Sequence, residues 1–321
     1  MSQPYLIDLK NLSLGDLSLV GGKNANLGEL IAQGFPVPPG FSITTAAYNT
    51  FLDLNNLRMK IEPSLEHMDS RDANGLNEVS HKIRDLIERA EMPSKLARGI
   101  REAYQELQVG EAGTAVRSSA SAEDLQFTSF AGQMETFLFV RGIDNVSIAT
   151  KKVFSSLFTP RAIAYRVRRS IGHLSMLMSV GVQRMINPES AGVMFTLNPL
   201  NGDREVVYLE GVWGAGESLV RGHVSPDSFV VRKSDLSVLK RSTASKNVMT
   251  AMGQNEGEFS VEIPVPQSLR DAPSLTTEQV LELARHALRV EEHYTKPMDV
   301  EWVVEKNTGK IFLVQARPVT T

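Results

Sequence analysis

The sequence predicts an α+β fold in which helices and antiparallel strands occupy different stretches of the chain. Residues 46–57, 76–108 and 276–294 carry apolar side chains at helical spacing. From about residue 200 onward, glycine-rich turns alternate with short strands. Near the C-terminus, Met298 to Arg317 contains two alternating runs on either side of Asn307-Thr308-Gly309, which predicts a β-hairpin.

Composition and charge exclude several classes of function. The chain has 321 residues, enough for one large or two medium domains, and its net charge of −3 gives no basic field for nucleic acid or an anionic membrane. It has no cysteine, which excludes disulfides, thiolate metal sites and cysteine nucleophiles and fits a reducing compartment. No signal-peptide pattern is visible, and no apolar run could span a bilayer. We therefore expect a cytoplasmic protein.

After a predicted short strand at residues 4–10, the first candidate site residue is Lys23, in Val20-Gly21-Gly22-Lys23. Asn24 to Ala32 follows with helical spacing, so Lys23 lies in a glycine turn at a helix N-terminus, where backbone N–H groups and the helix dipole favour an anion. The turn is not a Walker A loop, because Lys23 is followed by Asn rather than Ser or Thr. A turn with a solvated lysine fits the pattern equally well.

A long polar loop separates two predicted strands in the middle of the chain. Thr114 to Arg117 predicts a short buried strand, Ser118 to Gly132 is polar and small, and Met134 to Val140 predicts a second strand. A loop this long inside a domain is often functional, and its Ser, Thr and Gly residues supply donors that can wrap phosphates. Arg117 at its root is then placed to hold a charge. A surface loop with a solvated arginine is the alternative.

The stretches that follow predict further scaffold. Ser155 to Ser170 predicts a basic surface helix with Pro160 in its first turn. Leu174 to Ile186 alternates as a strand and returns through a turn as Gly192 to Thr196, a pair that suits either an adenine pocket or a core. Residues 241–275 are polar and irregular, and we expect them to be mobile.

The C-terminal hairpin carries an unusual polar face. If Thr308 is the centre of a three-residue loop, the apolar face pairs Val300 with Ala316, Trp302 with Val314, and Val304 with Phe312. The other face pairs Asp299 with Arg317 and Glu301 with Gln315. Carboxylate and amide oxygens suit Mg²⁺, and a guanidinium suits phosphate. A solvated polar face with one ion pair is the alternative, and a bulge in the loop would shift the register by one and spoil the pairing.

Seven stretches, in order from residue 20 to the C-terminus, match one family. They are VGGKNANLGEL, GFPVPPGFSITTAAY, AVRSSASAEDLQFTSFAGQMETFL, SLFTPRAIAYR, GVQRMINPESAGVMFTLNP, GVWGAGESLVRGHVSPDSF and KPMDVEWVVEKNTGKIFLVQARPVTT. The chain thereby resembles the N-terminal ATP-grasp nucleotide-binding module of the phosphoenolpyruvate synthase and pyruvate phosphate dikinase family, which includes rifamycin phosphotransferase and phenylphosphate synthase-type enzymes.

This resemblance implies an ATP-grasp fold with mixed and antiparallel sheets, in which two α+β lobes clamp ATP and Mg²⁺. Residues 1–195 would form the N-terminal lobe with the phosphate-covering loop 118–132. Residues 196–321 would form the C-terminal lobe with the metal-binding hairpin 298–317. Ala215 stands in the WGAGE stretch where leucine is common in the family, which we interpret as a minor packing change.

The resemblance also implies roles for individual residues. Lys23 and Arg117 would contact ATP phosphates, with Gly132 and its loop closing over them and Thr136 on the strand beyond. Gln183 and the backbone near Ile186 would meet the adenine. Glu301 and Gln315 would hold the metal, and Arg317 would face the transferring phosphates. Such a site fits phosphoryl transfer, which depends mainly on positioning and charge neutralisation.

In the family, ATP is cleaved to AMP and phosphate while a histidine on a separate swinging domain is phosphorylated. That histidine then phosphorylates a small acceptor such as pyruvate, a phenol or a rifamycin. None of the six histidines here lies in the family's Thr/Gly-rich phosphohistidine motif: they are His67, His81, His173, His223, His286 and His293. The sequence ends at RPVTT, where the family's linker begins. We therefore expect an ATP half-reaction only, from an excised domain or a subunit with a histidine-bearing partner.

Two other functions compete with this interpretation. A non-catalytic subunit would bind ATP for regulation or assembly, but Lys23, Arg117, Glu301, Gln315 and Arg317 are all present, which argues against lost catalysis. An ATP-grasp ligase would form an acyl-phosphate, but the ordered family stretches disfavour it. The acceptor stays open in every case.

Overall fold

The computed structural model describes residues 3–66, 72–120, 135–255 and 257–319. The chain forms two compact units, each built from helices and antiparallel sheet. The first comprises Met1–Glu29 and Pro39–Met185, and the second Leu30–Pro38 and Ile186–Thr321. The predicted boundary at 195/196 lies later than this division, because the strand Pro188–Phe195 pairs with strands of the second unit.

The first unit contains one five-stranded antiparallel sheet with helices packed against it. Its strands are β1 (Leu6–Asp8), β2 (Gly40–Ile43), β3 (Thr114–Ala120), β4 (Thr136–Val140) and β5 (Met178–Arg184), in the spatial order β1-β2-β5-β3-β4. Its helices are α1 (Leu17–Ala32, which continues into the second unit), α2 (Thr45–Leu54), α3 (Leu57–Glu66), α4 (Ala73–Arg89), α5 (Ser94–Glu106), α6 (Ile143–Ser156) and α7 (Pro160–Arg168).

Proline divides two stretches that were each predicted as one helix. The stretch 76–108 forms α4 and α5, because Pro93 disfavours helical backbone angles at the residue before it. The second helix therefore begins only at Ser94. The stretch 155–170 contains the end of α6 and all of α7, which starts at Pro160 after the Thr159 hydroxyl accepts a hydrogen bond from the Ala162 N–H. Proline at the first helical position is favourable, so it marks a start rather than a continuation.

Helix α7 is only partly the solvated basic surface that its sequence predicts. Arg161, Arg168 and Arg169 are exposed, but Arg166 is fully buried. Its Nε donates a hydrogen bond to His173 Nδ1 at 3.2 Å, and its guanidinium carbon lies 5.4 Å from the centre of the Phe158 ring. Burial is the main reason that the pKa of Arg166 falls to about 10.

The second unit is organised around a six-stranded antiparallel sheet. Its strands are β6 (Pro188–Phe195), β7 (Val206–Trp213), β8 (Asp227–Arg232), β9 (Val238–Ser242), β10 (Val248–Met252), β11 (Ser260–Pro264), β12 (Met298–Glu305) and β13 (Ile311–Pro318), and its remaining helices are α8 (Glu217–Val220), α9 (Gln267–Arg270) and α10 (Thr277–Tyr294). The large sheet has the order β13-β12-β6-β7-β8-β9, and β10 and β11 pair separately.

Helix α10 covers the sheet and closes the core of the second unit. A capping box starts it, in which Thr276 and Gln279 exchange side-chain to backbone hydrogen bonds. Val280, Leu283 and Val290 face a buried cluster that includes Trp302 of β12. Of the helices in the described ranges, none is long and apolar enough to cross a bilayer.

Two expectations for the middle of the chain are wrong. Strands β5 and β6 do not form a hairpin, because β5 pairs with β2 and β3 while β6 pairs with β7 and β12. Alternation identifies each strand but not its partner. Residues 241–275 are not irregular throughout, because they contain the end of β9, the β10–β11 hairpin and α9. Lys246 within this stretch is fully buried.

Candidate functional site

The predicted glycine turn before Lys23 is a sharp kink within α1. Gly21 adopts φ +70° and ψ 168°, so the helix is interrupted there and restarts at the next residues. A Cβ atom on Gly21 would lie 2.2 Å from the carbonyl oxygen of Ser119, so only glycine fits this position. Lys23, which is half-buried, therefore lies in the first turn of the helical segment that follows the kink.

Three predicted site residues share one face of the first unit's sheet. Arg117 on β3 lies directly opposite Gly181 of β5 and Thr136 of β4. Directly opposite residues in antiparallel strands point to the same face, and side chains repeat on that face every second residue. Gln183, two residues after Gly181, therefore shares the face with Arg117 and Thr136. Gln183 is buried, while Arg117 and Thr136 are half-buried.

The turn that carries Lys23 packs on this same face. The backbone N–H of Asn24 donates a hydrogen bond to Ser119 Oγ at 3.2 Å, and Ser119 lies two residues beyond Arg117 on β3. The structure therefore brings the Lys23 segment onto the sheet face of Arg117, Thr136 and Gln183. Sequence reasoning had no signal for the contact, because its partners are 95 residues apart.

Gly132 and Ile186 are two further predicted nucleotide-binding residues. Gly132 and most of the loop 118–132 lie outside the described residues. Ile186 belongs to the second unit, where its side chain is buried with Ala191 and Val303. A buried side chain is compatible with the predicted adenine contact, which involves the backbone near Ile186 and not its side chain.

The C-terminal hairpin confirms the predicted polar pairing. Asp299 lies opposite Arg317, and Glu301 lies opposite Gln315. Both Nε and an Nη atom of Arg317 lie 2.8 Å from the same Asp299 carboxylate oxygen. Four polar side chains therefore share one face of the β12–β13 ladder, with Asp299 and Gln315 buried, Glu301 half-buried and Arg317 exposed.

The predicted apolar pairing is right at its first pair and wrong beyond it. Val300 faces Ala316, but a β-bulge between Glu301 and Trp302 shifts the register, so that Trp302 faces Leu313. Val304 likewise faces Ile311 rather than Phe312. The bulge adds Val314 to β13, and the shifted side chains still meet the core: Trp302, Val304, Ile311 and Leu313 are all buried in it.

The electrostatics of the hairpin fit a bound cation. Burial raises the pKa of Asp299, the Arg317 charge lowers it, and the neighbouring Glu301 charge raises it again. Two carboxylates beside each other repel, and a hard cation with oxygen ligands would relieve that repulsion. In the described residues, no group of three His, Cys, Asp or Glu side chains is arranged for a metal. Mg²⁺ does not need one, because it keeps several waters and binds phosphate oxygens.

The second unit contains a buried ion pair that the sequence pattern does not reveal. Lys246 Nζ lies 2.6 Å from Asp227 Oδ1, and both side chains are fully buried. Asp227 also accepts hydrogen bonds from the backbone N–H groups of Ala244 and Ser274. The pair thus fastens two connecting segments to the start of β8. Lys246 lies in a polar stretch, which gave no sign that it is buried.

Comparison with known proteins gives a consistent result. Residues 17–321 match the family described as "Pyruvate phosphate dikinase, AMP/ATP-binding domain". The chain is 43% identical to a probable phosphoenolpyruvate synthase of Methanocaldococcus jannaschii, over 100% of this chain and 27% of the relative. It is 43% identical to the phosphoenolpyruvate synthase of Pseudomonas aeruginosa (98% and 42% covered) and 42% identical to that of Escherichia coli (99% and 42% covered). It therefore spans less than half the length of these relatives.

Proposed function

Because the chain belongs to the pyruvate phosphate dikinase AMP/ATP-binding domain family, we propose that it is the ATP-binding half of a dikinase-type phosphotransferase. One structural observation supports this proposal above others. The kinked turn with Lys23 packs on the sheet face that carries Arg117, Thr136 and Gln183. Two basic groups, a hydroxyl and an amide near one another suit a nucleotide with a charged phosphate chain.

In this proposal the nucleotide is held as in an ATP-grasp fold, by two lobes. Lys23 and Arg117 neutralise phosphate charge, and Thr136 and Gly132 with its loop complete the phosphate contacts. Gln183 and the backbone near Ile186 meet the adenine. A planar guanidinium can form two parallel hydrogen bonds to phosphate oxygens, whereas an ammonium acts as a compact charge, so Arg117 and Lys23 contribute differently.

The hairpin of the second unit supplies the metal ligands in this proposal. Glu301 and Gln315 provide a carboxylate and an amide oxygen from opposite strands for Mg²⁺, and Arg317 faces the transferring phosphates. When bound, Mg²⁺ neutralises phosphate charge. Asp299 fixes the Arg317 guanidinium through two 2.8 Å contacts, so its charge is held in one orientation.

The proposed reaction cleaves ATP with one water: one phosphoryl group stays in AMP, one leaves as phosphate, and one is transferred to a histidine on a separate domain or partner subunit. That phosphohistidine then serves a small acceptor: pyruvate, a phenol or a rifamycin. The relatives support a separate histidine domain, because more than half of their length lies outside the part that this chain matches. Pyruvate is the first acceptor to test, since those relatives are phosphoenolpyruvate synthases.

Two measurements test the proposal. Calorimetric titration of the chain with ATP should show binding that strengthens with Mg²⁺. The chain alone should form little AMP, and adding the histidine domain of a phosphoenolpyruvate synthase relative should produce AMP and phosphohistidine together. Rapid AMP formation without that domain would contradict the proposed half-reaction. Tight ATP binding with no AMP, even with its own histidine-bearing partner, would instead identify the non-catalytic regulatory subunit.

A further inference from the structure

We propose that Asn24 is a positioning residue that holds Lys23 in place for the ATP phosphates. This inference rests on the proposed function, since it takes Lys23 as a phosphate-binding group. Nothing in the sequence pattern singles out Asn24, which follows Lys23 and whose side chain contacts the sheet. Its side chain is 2% exposed, whereas Lys23 is half-buried.

The Asn24 side chain is the centre of a buried polar cluster. Its Nδ2 donates hydrogen bonds to Ser42 Oγ at 3.0 Å and to Ser179 Oγ at 3.1 Å. The two serine hydroxyls are 2.8 Å apart and hydrogen-bond to each other. Its backbone N–H adds a third link, to Ser119 Oγ. All three serines are fully buried, so one residue bonds to three different strands, β2, β3 and β5.

Gly181 of β5 leaves room on the sheet for the Asn24 side chain. A Cβ atom on Gly181 would lie 2.4 Å from Asn24 Oδ1, so the amide oxygen occupies the space above that glycine. Gly181 is also the residue of β5 that lies directly opposite Arg117. The Asn24 amide therefore lies over the position opposite Arg117, one of the proposed phosphate-binding residues. The other, Lys23, is its direct neighbour in the chain.

The cluster determines geometry rather than mere stability. An apolar side chain at position 24 could fill a buried space, but it would not select one orientation of the turn. A hydrogen-bonded polar network does, because each displaced group loses a partner in a low-dielectric interior. Gly21 contributes to the same fit, since its lack of a Cβ lets the turn approach Ser119 closely. Asn24 thus transmits the sheet's geometry to Lys23.

The test is a double-mutant cycle between Asn24→Ala and Lys23→Ala, with ATP affinity measured by calorimetry. A control variant, Ser80→Ala, removes another buried hydrogen bond of the first unit, the 2.7 Å bond from Ser80 Oγ to the Phe158 carbonyl. Asn24→Ala should lower ATP affinity about 10- to 100-fold, as expected for a supporting partner, and leave adenosine affinity unchanged. The double variant should bind ATP as weakly as Lys23→Ala alone. Ser80→Ala should bind ATP normally.

Each outcome decides between the two proposals. If the wild-type chain does not bind ATP, the proposed function fails. If it binds ATP but Asn24→Ala stays within about twofold of wild type, or if the two losses add fully, the positioning role is refuted. Should Asn24→Ala not fold, Ser179→Ala removes one of the two hydroxyls that accept from the Asn24 amide and keeps the other. Ser179→Ala should lower ATP affinity in the wild-type chain but not further in a chain that already carries Lys23→Ala. A further loss in the Lys23→Ala chain would refute the positioning role.

Discussion

At the scale of single residues, charge distinguishes the roles that we propose for the side chains on the hairpin's polar face. Asp299 is already paired with Arg317, so its carboxylate is committed to holding that guanidinium. Glu301 adds a second carboxylate that raises the pKa of Asp299. Glu301 and Gln315 are then the oxygen donors that we assign to Mg²⁺, one from each strand.

The metal assignment predicts the behaviour of Glu301→Ala. This variant should lose Mg²⁺-dependent ATP binding by at least about 10-fold and lose ATP turnover with its histidine partner, because a carboxylate ligand is removed. Its urea unfolding midpoint should stay close to wild type, since the side chain is not in the core cluster. Glu305→Ala, at the end of the same strand, is the matched control and should bind normally. Normal turnover by Glu301→Ala would contradict the assignment.

His286 predicts a pH dependence of stability in the second unit. Burial lowers its pKa below the ordinary value of 6.5, and Arg289 adds to this while Glu282 opposes it. A depressed folded-state pKa gives stability that is present above pH 6.5 and is lost as pH falls through the folded value. The unfolding free energy should therefore fall on acidification below about pH 6.5.

The comparison is between His286→Gln and the control His81→Gln, whose histidine is exposed. Chemical denaturation from pH 7.5 to pH 5 measures both. His286→Gln should lose less free energy of unfolding across this range than wild type, while His81→Gln should follow wild type. Equal slopes for all three proteins would show that His286 is not responsible.

At the scale of elements, the bulge in the hairpin lies between the polar pair Glu301–Gln315 and the buried residue Trp302. Before the bulge, Glu301 and Gln315 pair as simple alternation predicts, which sets the polar face. Beyond it, the extra Val314 changes the partner of Trp302 but keeps the indole in the core. The ring fits there because Gly192 and Gly211 have no side chain. A Cβ atom on either glycine would lie only 2.6 Å or 3.1 Å, respectively, from the indole ring.

Trp302→Ala should therefore destabilise the second unit strongly. Removing a fully buried large side chain costs about 3–5 kcal/mol, because it loses transfer free energy and leaves a cavity. Phe312→Ala, a half-buried aromatic on the opposite face of the hairpin, is the control and should cost less. Urea unfolding monitored by hydrogen exchange in the second unit measures both. A loss below about 1 kcal/mol for Trp302→Ala would reject its place in the core.

The Asp227–Lys246 pair predicts an asymmetric response. Lys246→Met leaves a fully buried carboxylate without its cation and should cost about 3–5 kcal/mol. Asp227→Asn combined with Lys246→Met removes both charges, so its unfolding free energy should lie much closer to wild type. Thermal and urea unfolding of both variants provide the measurement. A double variant as unstable as the single one would show that the two charges are not what stabilises this region.

At the scale of the whole molecule, the sequence predicts best what depends on local pattern. The α+β class, the amphipathic helix near residues 276–294 and the pairing of Glu301 with Gln315 follow from spacing, and the structure confirms them. The sequence allows for a bulge in the loop, but a bulge within the strands could not be foreseen, because Val314 is one apolar residue within an apolar run. The cluster of Asn24 could not be foreseen either, since its partners lie 18, 95 and 155 residues away.

The last prediction concerns both units together. The proposed function assigns phosphate contacts to Lys23 in the first unit and metal contacts to Glu301 in the second. ATP with Mg²⁺ should therefore slow amide hydrogen exchange at residues 20–24 and also along β12 and β13, because a bound ligand suppresses local opening. Lys23→Ala and Glu301→Ala should each weaken the protection in both places, since each lowers occupancy. Wild-type protection confined to one of these two places at saturating ATP would contradict the proposed function, which assigns a ligand contact to each.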